Sequence, residues 1–428
     1  MPVPLISSLR YLTADLPGIG GRIKVRPEDF VVEEQALYET TGTGEHLYLF
    51  IEKRGQTTMD VVRRLAKAFH VRRGDIGYAG LKDKHAVTRQ HFSIYMPDPS
   101  KDQRYLAALE HPPFSVLWAH RHGNKLRRGH LAANRFVIHI REVDASAAVT
   151  AHRVCQRLVA SGIPNYFGEQ RFGARQNNHH LGRMLLLGQY EQLLSAMLGE
   201  PCDDDGELMR LARSAYDRGD FGAALDHWPR HLRHDRRALD MCRQGRTAEQ
   251  VVMGIDRQQR AFLINAMQSA VFNDVLRQRV ETGCFDQLMD GDQAYKHDSG
   301  ALFAVDAPTA AAENGPDGRV GRGAVSPTGP LWGATMPRAG GEVDRLELAA
   351  LEAFGLTLGD LCDNARMTVT GGRRPLRVQL IDPQVAGGAD EHGPYVRASF
   401  SLPRGSYATI VLREIMKNDT ADAEDHAE

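Results

Sequence analysis

The sequence predicts an α/β (α+β) fold. Three observations predict it. Residues 46–54, 89–96 and 135–141 alternate apolar and polar side chains as strands do. Residues 180–285 switch to a largely helical period, and strand patterns return at 376–382 and 395–401.

In HLYLFIEKR (46–54), Leu47, Leu49 and Ile51 fall on one side. A helix follows, with Thr57 as its N-cap, Asp60 three residues on, and Val61 or Val62, Leu65 and Phe69 recurring at helical spacing. RQHFSIYM (89–96) places Phe92, Ile94 and Met96 on one face, and RFVIHIR (135–141) does the same with Phe136, Ile138 and Ile140. Val143–Ser161 reads as a helix, and the clearest helix of the middle region spans about 247–281. Residues 301–342 are rich in Ala, Gly and Pro with little periodicity, which predicts a loop or poorly ordered insert. Gly371-Gly372-Arg373-Arg374 marks a hinge into the last piece, where YATIVLREI (407–415) fits either a strand or a short helix.

The 428 residues are 42% hydrophobic and 25% charged, an ordinary globular composition long enough for two or three cores. Five cysteines (Cys155, Cys202, Cys242, Cys284, Cys362) lie far apart with no CxxC pair, which argues against a disulfide scaffold or structural zinc. MPVPLISSLRYLTADLPG makes a poor signal peptide, and no apolar run approaches the roughly 18 residues of a membrane helix. The expectation is a cytoplasmic protein without membrane contact.

The net charge of -1 hides asymmetry. Val61–Gln90 holds eight Lys/Arg against two acids, and His120–Glu142 holds six against one. The last eleven residues carry five acids and no base; without them the net charge would be +4. Two basic runs beside aromatic strands point to an anionic partner; a solvated face is the alternative. For the acidic tail, solubility or screening of the basic region are the two readings.

LPGIGGRIK (16–24) and TGTGEH (41–46) match neither GxGxxG nor a P-loop, so no nucleotide cofactor is expected. His179-His180 lacks metal-ligand spacing, and no GxSxG elbow is present. One segment stands apart. GYAGLKDKHAVTRQHFSI (77–94) is a glycine-led turn that delivers one carboxylate, Asp83, between Lys82 and Lys84 just before a strand. Neighbouring cations favour the ionised acid, which suits a nucleophile or base acting on a polyanion. A structural ion pair without chemistry fits the same pattern. A metal nuclease would want paired carboxylates, and this segment offers one.

The same run resembles the signature of the TruD family of tRNA pseudouridine synthases. Further segments resemble that family in order: KVRPEDFVVEE (24–34), GHLAANRFVI (129–138), IPNYFGEQRFG (163–173), PTGPLWG (327–333) and SFSLPRGSYATIVLREI (399–415). The resemblance implies a discontinuous catalytic domain, residues 1–160 and 373–428, with a mixed, largely antiparallel sheet. It implies an inserted TRUD domain at 161–372, with RNA held between the two. The implied activity is isomerisation of uridine to pseudouridine in tRNA, expected at position 13, by a monomer using no cofactor and no metal. Asp83 is implied as the catalytic carboxylate, Asn134 and Phe136 as the pocket amide and aromatic, and Phe400 as a second aromatic. Phe30 is a third candidate wall, and Lys24 a cation near Asp83 or a phosphate. Asn134 and Phe136 would share a strand face; read without the resemblance, Phe136 packs in the core with Ile138 and Ile140. His85 and Arg89 are candidates for phosphate contact, and Tyr166, Phe167, Phe172, Arg171 and Arg175 for RNA contact or for a domain-junction core. The alternative class is a non-catalytic RNA-binding or RNA-chaperone protein.

Overall fold

The structure is a computed structural model that describes residues 9–109, 113–362 and 369–418. The acidic tail from residue 419 and part of the N-terminal stretch therefore lie outside the described residues. The chain forms two compact units. One is built from Arg10–Asn165 with the stretch from Arg377 onward, the other mainly from Tyr166–Leu376. The sequence put these breaks at 160/161 and 372/373.

The strands in chain order are β1 (Phe30–Ala36), β2 (His46–Arg54), β3 (Ile76–Tyr78), β4 (Val87–Tyr95), β5 (Phe114–His122), β6 (Leu131–Arg141) and β7 (Ile163–Pro164). The middle unit then contributes β8 (Gln293–Lys296), β9 (Leu302–Ala304), β10 (Val325–Leu331) and β11 (Gly372–Pro375). The chain returns with β12 (Arg377–Val378), β13 (Ile381–Asp390) and β14 (Gly393–Pro403). The large sheet runs β13-β14-β6-β1-β4-β2-β5, with β3 beside β4. Its β1–β4 pair is parallel and the other pairings are antiparallel.

Register fixes what the sheet buries. Leu47 pairs with Ile94, Leu49 with Phe92 and Ile51 with Gln90. The four leucine and isoleucine side chains and Phe92 pack on Val61, Val62 and Leu65 of the helix Thr58–Ala68. Full burial of such side chains stabilises by about 1.5–3 kcal/mol each. That helix starts where the sequence placed it. Thr57 accepts from the Asp60 N–H, and Asp60 accepts from the Thr57 N–H. On the other half of the sheet, Phe30, Val32 and Glu34 of β1 face Ile138, Phe136 and Asn134 of β6, which face Ala398, Phe400 and Leu402 of β14.

Several expectations are corrected. The helix expected over 247–281 is two helices, Ala248–Gly254 and Arg257–Glu281, because Asp256 leaves the helical conformation and caps the second by accepting from the Gln258 N–H. Residues 301–342 are ordered structure, not a loop. Ala307–Asn314 is a helix capped by Asp306, and Val305, Ala310, Val320 and Val325 share a small core with Leu288 and Ala294. Alanine has the highest helix propensity, so the composition that reads as irregular also suits a short helix. Residues 408–416 form a helix, one of the two readings the sequence left open. Strands β1, β3, β5 and β7 to β11 were not anticipated, and the strand expected over 376–382 is the two-residue β12 followed by the start of the longer β13.

Arg141 ties the sheet's far end together. Its Nε and Nη2 donate to Asp29 Oδ1 at 2.9 and 2.6 Å, and its Nη1 and Nη2 to the two Asp390 oxygens at 2.7 and 2.8 Å. Asp29 is 1% exposed, so its charge depends on this fork. Replacing Arg141 by Met is expected to destabilise the protein by about 3–5 kcal/mol, because it leaves a buried carboxylate unpaired. Urea unfolding of the two proteins measures this, and an unchanged midpoint would contradict it.

Candidate active site

The loop between β3 and β4 carries Asp83, and four hydrogen bonds fix its backbone. The Gly129 N–H donates to the Ala79 carbonyl at 2.8 Å. Gln90 Nε2 donates to the Gly80 carbonyl at 3.2 Å, and the Lys82 N–H to Thr58 Oγ1 at 3.0 Å. Thr58 Oγ1 in turn donates to Gln90 Oε1 at 3.0 Å. Lys53 Nζ donates to the Asp83 carbonyl at 2.8 Å and to the Gln56 carbonyl at 2.7 Å. Lys53 is 1% exposed. Burial pushes its ammonium down to about 8, against the opposing pull of Asp83.

The Asp83 carboxylate is held on both oxygens. Lys24 Nζ donates to Oδ2 at 2.7 Å, and the His85 N–H to Oδ1 at 2.9 Å. Burial works to raise this carboxyl, but the charge and hydrogen bond of Lys24, with the His85 N–H, outweigh it and hold the group below its ordinary value of 3.8. The carboxylate stays 28% exposed, open enough to meet a substrate. Lys24 itself has φ of +55°, a region non-glycine residues rarely adopt. Strain of this kind persists where surroundings over-determine the conformation, and here it accompanies an ammonium aimed at Asp83.

The remaining candidates gather in the same unit. Lys24 Nζ lies 5.0 Å from the centroid of the Phe30 ring. Phe30 meets Phe136 edge-on at 6.3 Å, and Phe136 lies 5.6 Å from Phe400. The three rings are 5%, 7% and 2% exposed, so they form one buried row rather than an open stacking surface. Asn134 Oδ1 accepts from Lys82 Nζ at 2.8 Å. Lys82 Nζ also pairs with Glu34 Oε2 at 3.1 Å, and Glu34 Oε1 accepts from the His91 N–H at 3.1 Å.

Other sequence candidates lie elsewhere. Arg89 is engaged by Glu33 and Glu52 at 2.9 and 2.8 Å. Tyr166, Phe167 and Phe172 are buried, and Asn273 holds both the N–H and the carbonyl of Phe167, as a packed core does. Arg175 donates to the carbonyls of Ala196 and Glu200. Lys53, Lys82 and Glu34 were missed as site residues. A lysine ending the apolar face of β2 was the available signal for Lys53. Among the described residues, no group of three His, Cys, Asp or Glu could hold a metal ion, and no helix is long and apolar enough to cross a membrane.

Lys53 gives a pH-dependent prediction. Between about 8 and 10.5 the unfolded chain holds a proton at this lysine that the folded chain has released, so Lys53 makes stability rise with pH in that window. The unfolding free energy of wild type minus that of Lys53→Met is expected to climb by at most ~1.4 kcal/mol per pH unit there. Parallel curves from denaturant titrations would contradict the assignment.

Comparison with known proteins finds relatives over nearly the whole chain. The family model for tRNA pseudouridine synthase D (TruD) matches residues 7–415. The tRNA pseudouridine synthase D of Geobacter sulfurreducens is 43% identical over 409 residues, spanning 95% of this chain and 97% of that protein. The tRNA pseudouridine synthase D of Thermus thermophilus is 37% identical over 413 residues, 96% of this chain and 93% of that protein. The crystal structure of a Methanosarcina mazei protein assigned as tRNA pseudouridine synthase D aligns with a TM-score of 0.78 at 27% identity, covering 98% of this chain and 99% of that one. The chain belongs to the TruD family of tRNA pseudouridine synthases.

Proposed function

We propose that this protein isomerises uridine to pseudouridine in tRNA, at position 13, with Asp83 as the catalytic carboxylate. In this reading the sheet-bearing unit is the catalytic domain and the middle unit is the inserted TRUD domain. The observation that carries it is the Asp83 carboxylate, ionised by Lys24 at 2.7 Å yet partly open. The reaction breaks the C1′–N1 glycosidic bond, turns the base, and joins C1′ to C5. The C5 proton leaves and N1 gains one, so atoms balance without a cofactor or an external group. An ionised carboxylate at this point can attack the substrate, or remove the C2′ proton to give a glycal. Keeping Asp83 ionised serves both routes, since each needs its lone pair.

The target uridine must leave its stack to reach Asp83. The buried row Phe30, Phe136 and Phe400 backs the site apolarly behind the extruded base, and Asn134 supplies the polar group at its edge. Lys24 both ionises Asp83 and adds positive charge where the ribose phosphates approach. The enzyme acts as a monomer in the cytoplasm, and tRNA is its partner.

Purified protein treated with EDTA is expected to form pseudouridine at one uridine of unmodified tRNA transcripts, mapped by carbodiimide labelling and reverse-transcription stops. Asp83→Asn is expected to lower the rate by a factor on the order of 10³ or more while tRNA binding at matched salt persists. Tight binding by both proteins with no product from either would instead support the non-catalytic RNA-binding reading.

A further inference from the structure

The residue beside Asp83 organises a second polar cluster that the isomerisation chemistry does not require. Lys82 turns away from Asp83, and its side chain is 7% exposed. Its ammonium donates to Asn134 Oδ1 at 2.8 Å and pairs with Glu34 Oε2 at 3.1 Å. Glu34 is 1% exposed along its side chain, and its other oxygen, Oε1, accepts from the His91 N–H and lies 3.1 Å from His91 Nδ1. Glu34 and Asn134 also face each other across the β1–β6 register.

An ammonium has three donors and no acceptor. Only the oxygen of the Asn134 carboxamide can meet it; a flipped amide would set N–H against N–H and leave the buried ammonium short of an acceptor. The amide orientation is thus dictated by a fixed charge, and Glu34 keeps that charge in place. Asn134 is half-buried, and its Nδ2 meets no acceptor among the described residues. The group turned away from Lys82 is therefore a pair of unused donors, on a residue bonded to the lysine that directly precedes Asp83 in the chain.

We infer that the Glu34–Lys82 pair is a specificity device that locks Asn134 as a hydrogen-bond donor toward an exocyclic carbonyl oxygen of the target base. Uracil presents carbonyl oxygens at both exocyclic positions, whereas cytosine presents an amino group in place of O4. A donor fixed by a buried charge accepts the first and leaves two donors opposed with the second. A rotatable amide would accept either. Lys82 and Glu34 are positioning residues, acting on the base only through Asn134. The inference rests on the synthase reading above.

The test uses full-length protein and tRNA transcripts whose modified position carries uridine, 4-thiouridine or 2-thiouridine, sulfur being the weaker acceptor. Wild type is expected to lose about fivefold in kcat/KM on one thio substrate relative to uridine, within the range of a single hydrogen bond. In Lys82→Met the amide is no longer held with its donors outward, so that ratio is expected to shrink below the wild-type value as the rate on uridine falls, and Lys82→Arg, which keeps the donors, is expected to restore both. A purely structural role would lower activity on all three substrates alike and leave the ratio unchanged. If Lys82→Met does not fold, Asn134→Asp decides. It is close to isosteric, keeps an oxygen for Lys82 and turns an acceptor outward, so the thio discrimination is expected to vanish. Undiminished discrimination in folded Lys82→Met or in Asn134→Asp, or none in wild type, overturns the inference. Wild-type protein that converts no uridine overturns the synthase reading, and the inference with it.

Discussion

A carboxylate that stays ionised while mostly withdrawn from water constrains everything around it. Burial alone would drive Asp83 toward its neutral form, and only the ammonium of Lys24 and the His85 N–H reverse that. Both donors act over hydrogen-bond distances, so the loop that carries Asp83 has to be held still. The sheet face beneath it shows what this requires. From Leu47, Leu49 and Ile51 the face of β2 passes to Lys53, and on β4 Thr88 and Gln90 precede Phe92 and Ile94. The apolar half anchors the helix Thr58–Ala68, while the polar half supplies the groups that grip the loop. Lys53 bears the cost of that arrangement: its ammonium is desolvated so that the Asp83 carbonyl has a fixed partner.

Two lysines flank Asp83 in sequence, and neither of them ionises it. Lys82 points into its own buried pair with Glu34, and Lys84 is exposed. The ionising cation comes from Lys24, far away in sequence and strained at φ of +55°. Three carboxylates of the sheet-bearing unit, Asp29, Glu34 and Asp83, are each matched to a separate cation, Arg141, Lys82 and Lys24. Such pairing lets three carboxylates withdrawn from water coexist in one unit.

Period and capping made the large sheet legible where the chain signals locally. The alternation of 46–54, 89–96 and 135–141 and the Thr57–Asp60 capping box reappear in the structure. Strand β13 was not legible, because Gly387 and Gly388 interrupt any alternation; its partner β14 and the close approach of Gly387 to Ala145 define it. The helix break at Asp256 was hidden by apolar spacing that continues through it, although Asp followed by helix formers is a capping signal. In the site, the resemblance pointed to Asp83, Asn134 and Phe136, and the sheet buries Phe136, as the apolar period it shares with Ile138 and Ile140 also allowed. Lys82 and Glu34 could not be read, since their roles depend on which strands are neighbours and a single sequence does not state that; for Lys53 the one signal was its place at the end of an apolar strand face.

The central claim is that Lys24 keeps Asp83 ionised against burial, and carbon-detected NMR of the Asp83 carboxyl tests it most directly. In wild-type protein the group is expected to titrate below 3.8, and in Lys24→Met it is expected to shift upward because burial then acts with less opposition. A wild-type carboxyl that titrates at or above 3.8, or one that Lys24→Met leaves unmoved, would contradict the account.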